Sequence, residues 1–210
     1  MSSVESEVGP AARIRLPRGA PALLVGWAAA VIAGFSWLAG YAQSAGDGGA
    51  PPPVWPAESR LSRSADRHTL ILFLHPHCPC SRATLEELNR ILARGTNHAE
   101  TYVLFVRPDR SPPLWERTDL WSAAADLPAA RVSVDVGGLE ARRFGVVTSG
   151  TTLLFDRRGI LVFEGGITRA RGHAGDNDGA RTILTCLLTG CSDPHRAPVY
   201  GCPLLDRTAS

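Results

Sequence analysis

The chain has 210 residues, six histidines, five cysteines and a formal charge of +2, and all 22 of its basic residues are arginine. That length accommodates one globular domain plus an appendage, and 44% apolar content at near-neutral charge excludes a mostly disordered chain and leaves no nucleic-acid footprint. Without lysine there is no Schiff-base chemistry and no Walker-type phosphate loop, and an odd number of cysteines leaves at least one without an intramolecular partner.

In chain order, residues 1–19 carry Arg13, Arg15 and Arg18 and form a short N-terminal segment. Residues 20–42 (APALLVGWAAAVIAGFSWLAGYA) follow without a single charge. A bilayer needs ~20 apolar helical residues, so this stretch is expected to be a transmembrane helix, with Trp27, Trp37 and Tyr41 as interfacial anchors. The competing reading is a cleaved signal peptide, for which residues 41–46 offer only a weak small-residue site. The next arginine after the span is Arg60, so the positive-inside rule leaves the N-terminus in the cytoplasm. The remainder is then expected outside the bacterial cytoplasmic membrane, in the periplasm or beyond, where disulfides persist. Residues 43–58, rich in glycine and proline, read as a tether acting only as a spacer.

Residues 59–190 alternate between strand and helix patterns. Expected strands lie at 69–75, 101–106, 131–136, 151–155 and 160–164, the last two joined by a tight turn at Asp156-Arg-Arg-Gly159. Expected helices lie at 82–94, 119–127, 138–144 and 180–188. This is an α/β pattern: a mixed sheet with helices on both faces, followed by a Cys- and Pro-containing tail over 191–210.

The sharpest motif is His75-Pro-His-Cys-Pro-Cys80-Ser81, at the junction of the first buried strand and the first long helix. Pro79 in an early helical position would set Cys78 beside unpaired helix amides, which favour a thiolate; protonated His75 and His77 would act in the same direction. Cysteines one residue apart can pair only through a small ring, so a Cys78–Cys80 bond is expected to be labile and exchangeable.

This element order, with its cysteine turn, resembles the thioredoxin-like superfamily over about residues 59 to 190. The segment FGVVTSGTTLLF (144–155) is similar to the lead into that family's penultimate core strand, and Gly165-Gly166 sits where the next strand commonly ends. With its anchor and HPHCPCS turn, the whole chain looks like bacterial RedB-type proteins. The resemblance implies thiol–disulfide exchange without a cofactor, acting on client protein thiols or disulfides and supplied by a membrane electron donor or acceptor. Two departures stand out. The family's two-residue gap between cysteines is a single Pro79 here, and its cis-proline position aligns with Gly150.

Those departures leave a metal reading open, in which His75, His77, Cys78 and Cys80 hold Cu(I) or Zn(II) for delivery. A third reading is a redox-inert docking domain. Cys186 and Cys191 straddle the end of the last helix and Cys202 lies in the tail. These three are structural or resolving cysteines: a staple such as Cys191–Cys202 is one expectation, and Cys202 folding back to the turn is the other. The loop 165–179, carrying Arg169, Arg171, His173, Asp176 and Asp178, is a mobile surface loop or a partner-contacting one beside the turn. Trp115 and Trp121 line a partner groove or simply pack helices.

Overall fold

The computed structural model describes residues 19–95, 97–191 and 193–205. Of the expected cytoplasmic segment only Gly19 lies among them, and residues 206–210 of the tail lie outside them. The chain divides between Gly40 and Tyr41 into two compact units. Among the described residues of the first, all but Gly19 belong to helix α1 (Ala20–Ala42), whose limits are those expected of the apolar span. It is long and apolar enough to cross a membrane and buries none of its residues.

The second unit is built on strand β1 (His68–Leu74), a nearly unbroken apolar run that sits inside the sheet and is covered on both faces. Alternate side chains explain that composition. Leu70, Leu72 and Leu74 pack with Leu88 and Ile91 of helix α2 (Ser81–Arg94) and with Ile183 and Leu187 of helix α5 (Asp178–Thr189). Ile71 and Phe73 join Phe144 and Phe155 on the opposite side. β1 pairs in parallel with β2 (Ala99–Arg107), which pairs in parallel with β3 (Ala130–Val136). On its other edge β1 is antiparallel to β4 (Thr151–Phe155), and β4 to β5 (Leu161–Gly165).

Helix α3 (Asp119–Ala125) adds Leu120 and Ala124 to the α2–α5 face, whereas the short α4 (Leu139–Arg143) covers the other. The first turn of α4 is held by buried Asp135, whose carboxylate accepts from the Glu140 and Ala141 N–H groups at 2.9 and 2.8 Å. Asn177 caps α5 by accepting from Ala180 N at 2.8 Å, and so starts it two residues before the expected Ala180. A sixth strand, β6 (His195–Arg196), runs parallel to β5. It is two exposed charged or polar residues, with no apolar alternation from which to foresee it.

Two expectations need correction. The stretch 43–58 is not a free spacer. Gly46 N donates to Val199 O at 2.8 Å, Ala50 N to Gly145 O at 2.9 Å and Trp55 N to Gly159 O at 2.8 Å. Gly145 has φ +62°, and a Cβ there would stand 2.2 Å from Ala50 O, so only glycine lets the two backbones meet. Trp55 then places its ring edge-on to Phe144 and Phe155, with centroids 5.1 and 5.2 Å away. Composition reports local stiffness and is silent on one aromatic finding a sheet face. Nor is the staple Cys191–Cys202. Cys191 pairs with Cys186 across the end of α5, their Cα atoms 4.8 Å apart.

Replacing Trp55 with alanine is expected to destabilise the chain by about 2–3 kcal/mol, because the half-buried ring fills the side of the sheet that α4 leaves open. Its exposed neighbour Val54 should tolerate alanine within about 0.5 kcal/mol. Thermal unfolding of the detergent-solubilised chain, followed by circular dichroism, compares the two; equal effects would mean that the stretch carries no packing.

Candidate functional site

The site forms where β1 ends. His75 N donates to the Ser149 hydroxyl at 2.8 Å, Cys78 N to His75 O at 3.1 Å and Ser81 N to Cys78 O at 3.0 Å. These successive turns carry the chain into α2. Cys80 is therefore the residue that caps the helix, and Pro79 lies before it instead of inside its first turn as the motif suggested. Cys78 sits further out again, so only Ser81 and the Cys80 N–H of this turn donate to it and the other donors come from elsewhere.

They come from the tail. The segment 147–150, which leads into β4, receives residues 202–204 as an antiparallel neighbour. Ser149 N donates to Cys202 O at 2.8 Å, Leu204 N donates to Val147 O at 2.9 Å, and Thr148 bridges to Pro203. Val199 and Leu204 flank this run with side chains only 2% and 1% exposed, fixing the strand from both ends. The result is a sulfur–sulfur contact of 3.0 Å between Cys78 and Cys202. Cys78, Cys80 and Cys202 are all thiols, Cys78 being buried and the other two half-buried.

Burial alone would push the Cys78 thiol up. It is nonetheless held below the ordinary thiol range, because the Cys202 side chain and N–H, the Ser81 hydroxyl and the Cys80 N–H all donate toward it. The other two thiols move the opposite way. Burial, then the charge and hydrogen bond of Cys78, push Cys80 up, against an opposing charge and hydrogen bond from Arg171. Burial and the neighbouring Cys78 push Cys202 up to about 12. Of the three, Cys78 is thus the sulfur that ionises first, with two thiols beside it that hold their protons more tightly.

His75 and His77 are gathered with Trp115, whose ring lies 5.3 and 4.5 Å from theirs. His77 Nε2 stands 3.1 Å from the Trp115 carbonyl oxygen, and His75 Nδ1 accepts from the His77 N–H at 3.2 Å. Among the described residues no group of three or more His, Cys, Asp or Glu side chains is arranged to hold a metal ion. Trp121 packs on Phe105 at 5.3 Å and takes no part in the site. On the side away from the tail, Cys78 borders a cleft of about 290 Å³ lined also by His77, Pro79, Arg82 and Thr118.

Three contributors receive no role from the sequence. Ser81, the last residue of the cysteine motif, and Ser149, with hydroxyls 3.0 Å apart, are ordinary serines until the fold brings them together. Gly201 is the third: a Cβ there would lie 1.8 Å from Ser149 O, so glycine is what lets the tail reach the segment. Arg171, expected only as a loop cation, donates to Gly201 O at 2.5 Å as well as acting on Cys80.

The chain matches no family profile and no curated protein. Among solved structures it is similar to an uncharacterised conserved protein from Geobacillus kaustophilus, at 19% identity and TM-score 0.57, over 80% of this chain and 95% of that one. It is also similar to a hypothetical protein from Sinorhizobium meliloti 1021, at 18% identity and TM-score 0.58, over 74% of this chain and 94% of that one. A looser likeness, TM-score 0.45 at 18% identity over 66% of this chain and 98% of the other, is to the exposed lipoprotein thioredoxin of Streptococcus pneumoniae. The first two matches show that the mixed α/β fold is shared over most of each chain.

Proposed function

We propose that this chain is a membrane-anchored, extracytoplasmic thiol–disulfide oxidoreductase of RedB type. Cys78 is its attacking thiolate, Cys80 its resolving partner, and His75 and His77 are electrostatic tuners of the turn. The observation that carries the reading is the convergence of two thiols, Cys80 and Cys202, on the Cys78 sulfur, the one of the three that ionises most readily. In this reading α1 is a retained anchor with its N-terminus in the cytoplasm, and the domain meets its clients outside.

The exchange balances without a cofactor. The Cys78 thiolate attacks one sulfur of a client disulfide, forming a mixed disulfide and releasing the first client thiolate, which takes a proton from water. Cys80, once deprotonated, attacks the Cys78 sulfur, closes Cys78–Cys80 and releases the second client thiolate. Two electrons pass from the cysteine pair to the client; the same steps reversed oxidise a client dithiol. A membrane electron carrier of either direction would reset the pair. Copper or zinc carriage by His75, His77, Cys78 and Cys80 gains no such support, since the imidazoles are gathered with Trp115.

The test uses the full chain in detergent, titrated in glutathione redox buffers, with alkylated thiols counted by peptide mass and metal content measured on the same sample. A reversible couple involving Cys78 in metal-free protein is expected, and Cys78→Ser should reduce exchange with a disulfide-bonded test protein to the uncatalysed rate. Stoichiometric metal protecting the thiols from alkylation would move the assignment to a carrier. The pH dependence follows from the donors. Cys78 is held low, so exchange should rise with pH through a midpoint below the usual ~8.5 of a free thiol. Ser81→Ala removes one donor to the charged form and should shift that midpoint upward by about one unit. An unmoved midpoint would remove Ser81 from the site.

A further inference from the structure

The pair that the mechanism uses, Cys78 and Cys80, leaves one thiol of the centre without a role, and its sulfur touches the nucleophile. Cys202 lies 3.0 Å from the Cys78 sulfur, across a sequence separation of 124 residues. Its position is fixed by surrounding structure. The backbone of 202–204 is bonded to 147–149, Val199 and Leu204 are buried on either side, Gly46 N holds Val199 O, and Arg171 holds Gly201 O. A tail docked through so many groups delivers its sulfur in one place, at high effective concentration.

We propose that Cys202 is a third redox residue that exchanges with Cys80 for Cys78, so that the oxidised centre rests as a Cys78–Cys202 disulfide tying the C-terminal tail over the cysteine turn. This rests on the oxidoreductase reading and extends it. The step is an isomerisation with no net transfer of electrons. The Cys202 sulfur, as a thiolate, attacks Cys78 Sγ of the Cys78–Cys80 bond; Cys78–Cys202 forms, Cys78–Cys80 breaks, and Cys80 leaves as a thiolate. The proton that Cys202 gives up ends on Cys80.

Two features set the direction. The one-residue spacing of Cys78 and Cys80 confines their bond to a small ring outside relaxed disulfide geometry, whereas Cys202 approaches from a separate strand free of that restriction. The Arg171 charge acts on both the Cys202 and Cys80 sulfurs, but its hydrogen bond goes to Cys80, where the departing charge appears. The latched form has a consequence for access. Cys78 is 1% exposed with the tail in place, so a client reaches it only after the tail sulfur gives way or through the cleft beside His77.

The sequence makes the experiment direct. Cleavage after arginine places Cys78 and Cys80 together on peptide 68–82 and Cys202 on peptide 197–207, with Cys186 and Cys191 on 182–196. The full chain is oxidised with oxidised glutathione, quenched by alkylation in acid, digested and mapped without reduction. The expected major product is a cross-link between 68–82 and 197–207, retained in Cys80→Ser and lost in Cys78→Ser. Gly201→Ala, which keeps all three thiols but blocks the tail's approach to Ser149 O, should reduce the cross-link by about tenfold or more while the internal Cys78–Cys80 bond survives. Finding only the internal bond in the unaltered chain, or a cross-link that persists in Cys78→Ser, overturns the role of Cys202 and leaves the oxidoreductase reading intact. Finding no disulfide at Cys78 under any buffer overturns both.

Discussion

The ionisation of one buried sulfur, Cys78, governs this centre. Ionising a buried sulfur costs several kcal/mol in lost hydration, and an isolated Cys78 would respond by staying protonated. Hydrogen bonds to a charged acceptor return about 1.5–3 kcal/mol each, so a few well-placed donors decide the sign. Here the donors are two neighbouring residues of the turn and both the thiol and the amide of Cys202. Because the same arrangement makes Cys80 and Cys202 harder to ionise, nucleophile and reserve thiols are distinguished by position alone.

The scaffold serves that arrangement. β1 delivers the turn because both its faces are packed, and its end cannot wander. Ser149 joins three pieces at once: its hydroxyl receives the His75 N–H and meets Ser81, while its backbone N–H holds the tail at Cys202 O. The Cys186–Cys191 bond ties α5 to the start of the tail, and β6 then aligns the tail beside β5. The tail is thereby guided from the last helix to the cysteine turn. A conventional two-cysteine centre needs none of this guidance, which is the physical reason to regard the third thiol as part of the chemistry.

The legible parts of the sequence were those written in local pattern. An uncharged 23-residue run announced α1, and an apolar run followed by a cysteine turn and a helical stripe announced β1 and α2. The tight Asp156–Gly159 turn announced the β4–β5 hairpin. What stayed hidden depends on contacts between distant segments. Nothing near Gly201 foretells that its missing side chain meets Ser149 O. Nothing near Trp55 foretells Phe144 and Phe155. The expected Cys191–Cys202 staple failed for the same reason: Cys186 was close because α5 ends between the two, whereas Cys202 had been drawn to the opposite end of the sheet by Val199 and Leu204.

Ultraviolet thiolate absorbance measured against pH tests most directly whether ionisation begins at Cys78, without requiring access of a reagent. Reduced full chain should show one ionisation step below the ordinary thiol range. This step should survive in Cys80→Ser and in Cys202→Ser, moved but present, and disappear in Cys78→Ser. A low step that persists without Cys78, or vanishes with Cys80 or Cys202 instead, would place the nucleophile on another sulfur.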